Sequence, residues 1–89
     1  MARTLLLGTE APLPVTSIAS TTFGQASAVR LVNTGIATAL INVVVAPGGD
    51  DVGSMSLPPN AVETLEKQYS HCIYASNALI LGAKVGFTG

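Results

Sequence analysis

Apolar and polar residues alternate along much of this chain with a period of two, and the longest such run, Ala28 to Ala46 (AVRLVNTGIATALINVVVA), carries a turn signal in its middle. Period two is the signature of a strand, because successive side chains point to opposite faces. Asn33-Thr34-Gly35 interrupts the run, and a three-residue loop ending in glycine commonly reverses two paired strands, so the pattern predicts a hairpin. In its second arm Ala37, Ala39, Ile41, Val43 and Val45 share one wholly apolar face, which predicts the core side. Ile36, Thr38, Leu40, Asn42 and Val44 make a mixed opposite face that asks for partial cover from outside the sheet.

The closing segment carries the next clearest stripe. Leu79, Leu81, Ala83, Val85 and Phe87 fall on one face, predicted inward, and Ile80, Gly82, Lys84, Gly86 and Thr88 on the other. Gly82 and Gly86 on that outer side would permit close approach of another backbone. Ser70 to Ser76 sets Cys72 and Tyr74 against His71, Ile73 and Ala75. Val52 to Leu57 reads as a weaker strand with Met55 and Leu57 on one side, ended by Pro58-Pro59-Asn60. Ala61 to Gln68 tolerates helix by propensity, but its eight residues between a proline pair and the next strand are short for a packed helix, so a strand is expected, with Glu63 and Lys67 as a solvent-facing or inter-subunit pair.

Upstream of the long run, Pro14 to Ala19 predicts a short strand and Ser20 to Gln25 a loop. Pro12 and Pro14 confine Thr9 to Pro14 to an edge strand or an extended linker, since each removes a backbone donor. Arg3 to Gly8 reads as a first strand or as an arm lying on a neighbour. The expected organisation is therefore an N-terminal arm or edge strand over 1–13 and one strand-built domain over 14–89.

Composition changes this picture in one respect. A chain of 89 residues has room for a single core, and buries only roughly 60–65% of its unfolded surface. Charged residues make up 10% of it, where about 25% is usual. With a net charge of −1, its surface has little electrostatic defence against self-association, which suits a subunit buried in an assembly.

The same numbers set partner expectations. Four Lys and Arg spread singly along the chain do not build the phosphate-neutralising patch that nucleic-acid binding requires. Despite a mean hydropathy of +0.53, the longest apolar stretch falls well short of the roughly 18 residues of a membrane span. MARTLLLGTE is too short in its apolar part for a secretory leader, so synthesis in a cytoplasm is expected.

Candidate chemistry is sparse. Cys72 is the single cysteine and reads as a buried structural thiol; His71 beside it points to the other face of its strand, so the two do not form a nucleophile and base. His71 has no metal-ligating companions nearby in sequence. Pro47-Gly48-Gly49-Asp50-Asp51 reads as a chain reversal rather than a calcium loop, lacking alternating oxygen ligands and a distal Glu. Glu63 and Glu66 as a catalytic pair would need a cleft with further polar groups. No catalytic, cofactor-binding or metal-ligating residue is assigned, no cofactor is expected, and the chain is read as non-enzymatic.

VRLVNTGIATALINVVV followed by SLPPNAVETLEK, SHCIYAS and the closing AKVGFT resembles the immunoglobulin-like β-sandwiches in strand order and turn style. The resemblance implies an all-β fold, a single small immunoglobulin-like sandwich of about seven antiparallel strands. The chain has no tryptophan and no cysteine pair, so kinship to antibody-type domains is not implied. A small, charge-poor sandwich opening MARTLLLGT and closing AKVGFTG is similar, more narrowly, to minor structural proteins of tailed bacteriophages, including those of cyanobacteria.

That resemblance implies an assembly role: a capsid decoration or cement subunit on the outside of a virion. Its partners would be further copies of itself, a trimer being the favoured count, and the major capsid protein or another virion protein. The alternative is a structural or host-recognition module at the neck, tail or fibre, for which two Tyr and no Trp make a poor sugar platform. Leu5, Leu6, Leu7, Tyr69 and Tyr74 are the expected contact residues, since aromatics and apolar arms anchor interfaces.

Overall fold

The structure is a computed structural model that describes residues 3–88; the expected ranges 1–13 and 14–89 also take in residues 1, 2 and 89, which lie outside it. Among the described residues there is no helix and there are eight strands: β1 (Arg3–Leu6), β2 (Ala11–Pro12), β3 (Ala28–Asn33), β4 (Ala39–Val44), β5 (Asp51–Leu57), β6 (Val62–Glu66), β7 (Cys72–Ala75) and β8 (Ile80–Thr88). All pairings are antiparallel. One sheet runs β1-β8-β3-β6 with β2 also on β8, and the other runs β5-β4-β7. The protein is an all-β sandwich, as its alternating pattern implies. Its last strand lies beside β3 rather than beside β7, whereas in constant-type antibody domains the last two strands share a sheet.

The core lies between the sheets. Val29 and Leu31 of β3 and Ile80 of β8 face Ala39, Ile41, Val43, Leu57, Ile73 and Ala75, and Leu13 and Ala26 enter from outside the long strands. Ala61 to Gln68 forms a strand, not a helix, because β6 gains a full ladder along β3 from Val32↔Val62 to Ala28↔Glu66. In β5, Met55 and Leu57 share a face as expected, and it is the inward one. Pro47-Gly48-Gly49 reverses the chain between β4 and β5, with Gly48 at φ 72°, the left-handed region that favours glycine. Val43 pairs Gly53 and Val44 pairs Asp51, so Val52 is the extra residue of a bulge.

Five expectations are corrected. Asn33-Thr34-Gly35 does not close a hairpin: β3 pairs β6 and β8 while β4 pairs β5 and β7, so this segment is an arch from one sheet to the other. The physical reason is Asn33, whose buried amide donates to Ala37 O (2.9 Å) and Leu57 O (2.8 Å) and whose Oδ1 accepts from Gly35 N (2.8 Å). This links the end of one sheet to the start of the other. Ala37 and Val45, expected inside with Ile41, are exposed, because the strand proper covers only Ala39–Val44.

Pro14 to Ala19 is a turn rather than a strand. Thr16 Oγ1 accepts from Ala19 N, and Ser17 O accepts from both the backbone and the hydroxyl of Ser20. Such local bonds compete with a ladder.

The facing of β8 is inverted. Residues directly opposite in a ladder share a face, and core residues Val29, Leu31 and Asn33 stand opposite Lys84, Gly82 and Ile80. Ile80, Gly82 and Lys84 therefore face the second sheet, and Leu81, Ala83, Val85 and Phe87 face away from it. Gly82 permits close approach inside its own chain: a Cβ there would meet Leu13 Cδ2 at 3.1 Å, Phe23 Cζ at 3.2 Å and Val29 Cγ1 at 3.2 Å.

The fifth correction concerns Lys67, which is not a surface partner of Glu63. It is 8% exposed and its ammonium donates to the backbone carbonyls of Ala26 (2.7 Å), His71 (2.8 Å), Thr22 (2.9 Å) and Gln68 (3.3 Å).

Candidate functional site

Two surfaces stand out once the register is known. The first is the outer face of the larger sheet. By register it carries Leu6 on β1, Pro12 on β2, Leu81, Ala83, Val85 and Phe87 on β8, Ala28 and Val32 on β3, and Val62 on β6. Thr4, Glu10, Arg30, Thr64 and Glu66 are the polar residues there. The Arg30 guanidinium lies 3.8 Å from the Glu10 carboxylate. Leu6 is 70% exposed, Phe87 54% and Val62 47%. Ala28, Ala83 and Val85 are buried although they face outward, because their ladder neighbours Glu66, Arg30 and Leu6 rise around them. The result is a largely apolar sheet face with a pair of opposite charges near its middle and no layer of this chain's strands above it.

The second surface is a cleft of about 410 Å³ between the sheets, lined by Ile41, Val43, Met55 and Leu65 with Val52, Gly53, Ser54, Glu66, Gln68 and His71 around its mouth. It opens between β5 and β6, which end their respective sheets. Lys67 contributes its stem to the lining, but its ammonium is engaged by the four carbonyls. Burial holds the Lys67 pKa below its ordinary 10.5, with Cys72 acting in the opposite direction. The cage fastens the Thr22–Ala26 loop to the β6–β7 connection, so this cation has a structural task.

The expected contact residues do not form one patch. Leu6 lies on the outer sheet face beside Val85, whereas Leu5 and Leu7 turn to the opposite side of the arm, where Leu7 Cδ1 would be 3.3 Å from a Cβ on Gly86. Leu5 and Leu7 are about half exposed. Tyr69 is exposed in the β6–β7 connection, and Tyr74 is half-buried on β7 of the smaller sheet, opposite Asn42. Sequence reading missed Phe87 as a surface residue because it placed the β8 stripe inside. Parity put the five-residue apolar stripe inside, whereas the close packing of Leu13, Phe23 and Val29 onto Gly82 turns the opposite side of β8 inward.

Cys72 is buried and free, as a structural thiol would be. Among the described residues no three His, Cys, Asp or Glu side chains come together in a metal-holding group. Every buried side-chain nitrogen and oxygen described has a hydrogen-bond partner. No helix of the described chain is long and apolar enough to cross a membrane.

Fold and surfaces together define a small antiparallel β-sandwich with one apolar outer face and one open flank. No protein-family model matches the chain, and neither the curated proteins nor the solved structures contain a significant match to it.

Proposed function

We propose that this protein is a non-enzymatic structural subunit that works by burying the outer face of its larger sheet in an assembly, first against copies of itself. The single observation that carries this reading is the exposed apolar stripe of Leu6, Val62 and Phe87 around the shaded Ala83 and Val85. A face four strands wide at 4.7–4.9 Å per strand and as long as the nine residues of β8 presents roughly 550 Å² per copy. Two copies packed face to face would bury roughly 1,100 Å², within reach of the roughly 1,000 Å² expected of a specific interface. The low charge of the chain supports the same reading, since little repulsion opposes association.

The resemblance to small structural proteins of tailed bacteriophages makes the assembly a virion. In this reading the protein decorates the capsid exterior and adds contacts across shell-protein boundaries, so that opening the shell breaks more interface. A position at the neck, tail or fibre base is the neighbouring alternative.

Sedimentation equilibrium with native mass measurement tests the association, and mass spectrometry of purified particles tests the place. A concentration-dependent oligomer that Leu6→Glu/Phe87→Asp converts to a folded monomer is expected, with recovery of the chain on particles in a fixed ratio to the shell protein. A strictly monomeric chain absent from particles would overturn the proposal.

A further inference from the structure

The two long flanks of the sandwich are finished differently. On one, Leu13 donates its N–H to Ile80 O of β8, the next residue, Pro14, accepts from Ala75 N of β7, and Thr21 bridges Ile73. The chain's own extended segment thus crosses from sheet to sheet there and buries Leu13 in the core. On the other flank β5 and β6 hydrogen-bond on one side only, to β4 and β3. Between them lies the cleft floored by Ile41, Val43, Met55 and Leu65.

Free edges are normally blunted by lysine, proline or a covering loop. Gly53 to Leu57 (GSMSL) carries none of these, and β5 pairs regularly with β4 over that stretch. A Cβ built on Gly53, whose partner Val43 faces the core, would meet nothing within 4 Å. The cleft is therefore open at that point and takes further side-chain volume without displacing anything.

Charge identifies the occupant. Four of the five acids of the chain, Asp50, Asp51, Glu63 and Glu66, belong to β5, β6 and the turn before β5, while the fifth, Glu10, pairs with Arg30. By register Glu63, opposite Leu31, points to the inter-sheet side, Glu66, opposite Ala28, to the outer face of the larger sheet, and Asp51, opposite Val44, to the outer side of the smaller sheet beside the free edge. Lys67, the one Lys or Arg lining this cleft, has its ammonium enclosed by carbonyls.

We propose that this flank is a strand-acceptor site: an extended segment of a partner polypeptide, apolar at alternate positions and carrying Lys or Arg between them, adds to β5 as a fourth strand and closes the cleft with its apolar side chains. Main-chain hydrogen bonds along the edge supply affinity and the cleft selects the alternating side chains, the division of labour found in strand addition. With its apolar side chains in the cleft, the guest turns its bases to the outer side of the smaller sheet, where Asp51, opposite Val44, stands beside the edge. This site is separate from the outer sheet face and stands whether or not that face drives self-association.

The experiment uses a fluorescein-labelled synthetic peptide, K-V-T-V-K-V-T-K, a scrambled peptide of equal composition, and an analogue with Glu for Lys. Anisotropy titration on the full chain is followed by amide exchange read residue by residue. The expected result is saturable binding of the alternating basic peptide alone, with new protection at Gly53 to Leu57.

Gly53→Phe fills the cleft from within and is expected to raise thermal stability while abolishing binding. Asp50→Lys/Asp51→Lys is expected to weaken the basic peptide and admit the acidic one, and the difference shrinks with added salt. Should Gly53→Phe not fold, the charge-reversal variant and the exchange map decide alone. No binding, equal binding of the scrambled peptide, or protection appearing on β1 or the outer sheet face instead of β5 would overturn the proposal.

Discussion

Two buried polar residues hold the ends of this sandwich, and each does so by occupying carbonyls that strands leave over. Lys67 serves the end where the Thr22–Ala26 loop meets the β6–β7 connection, and Asn33 serves the arch at the other. A buried acceptor that loses its donor costs about 1–3 kcal/mol. Lys67→Met keeps the stem against the cleft but strips the cage, and is expected to lower stability by about 2–4 kcal/mol in urea unfolding. Asn33→Asp retains Oδ1 for Gly35 N while removing both donors and adding charge, and is expected to cost about 3 kcal/mol or more. Neither role was legible in sequence. A Lys after a strand looks solvated and an Asn before Thr-Gly looks like a turn former, and their partners, up to 45 positions away, are set by topology.

At the scale of elements, strand existence was legible and strand partnership was not. β4, β5, β6, β7 and β8 lie close to where period-two alternation put them, and the Pro47-Gly48-Gly49 reversal joins β4 to β5 as expected. The arch at Asn33 and the turn over Pro14 to Ala19 escaped that logic, because local polar bonds and inter-sheet contacts outweighed propensity there. The inverted facing of β8 separates two variants that the sequence pattern treats alike. Ile41→Asp places a charge between the sheets and is expected to abolish cooperative thermal unfolding altogether. Phe87→Asp lies on the outward face of β8 at a position that is 54% exposed, so a cooperative transition is expected to persist in circular dichroism melts while the oligomer seen by sedimentation is lost. Loss of the fold in both variants would return the Phe87 face of β8 to the core.

For the whole molecule, the balance of charge and apolar area is what connects structure to role. A chain this small buries a single core, and here its strands leave a second apolar layer on the outside of the larger sheet and a cleft at one flank. Both are places where another polypeptide completes the burial. The proposed assembly and the proposed strand-acceptor site divide these surfaces between them. A dimer stable in Gly53→Phe but dissociated by Leu6→Glu is the expected sign, read by native mass measurement, that the two surfaces act independently.

From the order of its residues alone, this protein was committed to strands, to one core, to a charge-poor exterior and to a chain reversal at Pro47-Gly48-Gly49, because alternation, length, composition and glycine freedom are local or additive properties. Which strands pair, which face of β8 is wet, where Lys67 and Asn33 point and which flank stays open were decided only by tertiary structure. Those outcomes depend on contacts between residues tens of positions apart, and a period of two carries no label for inside or outside when both faces of a strand are largely apolar or small.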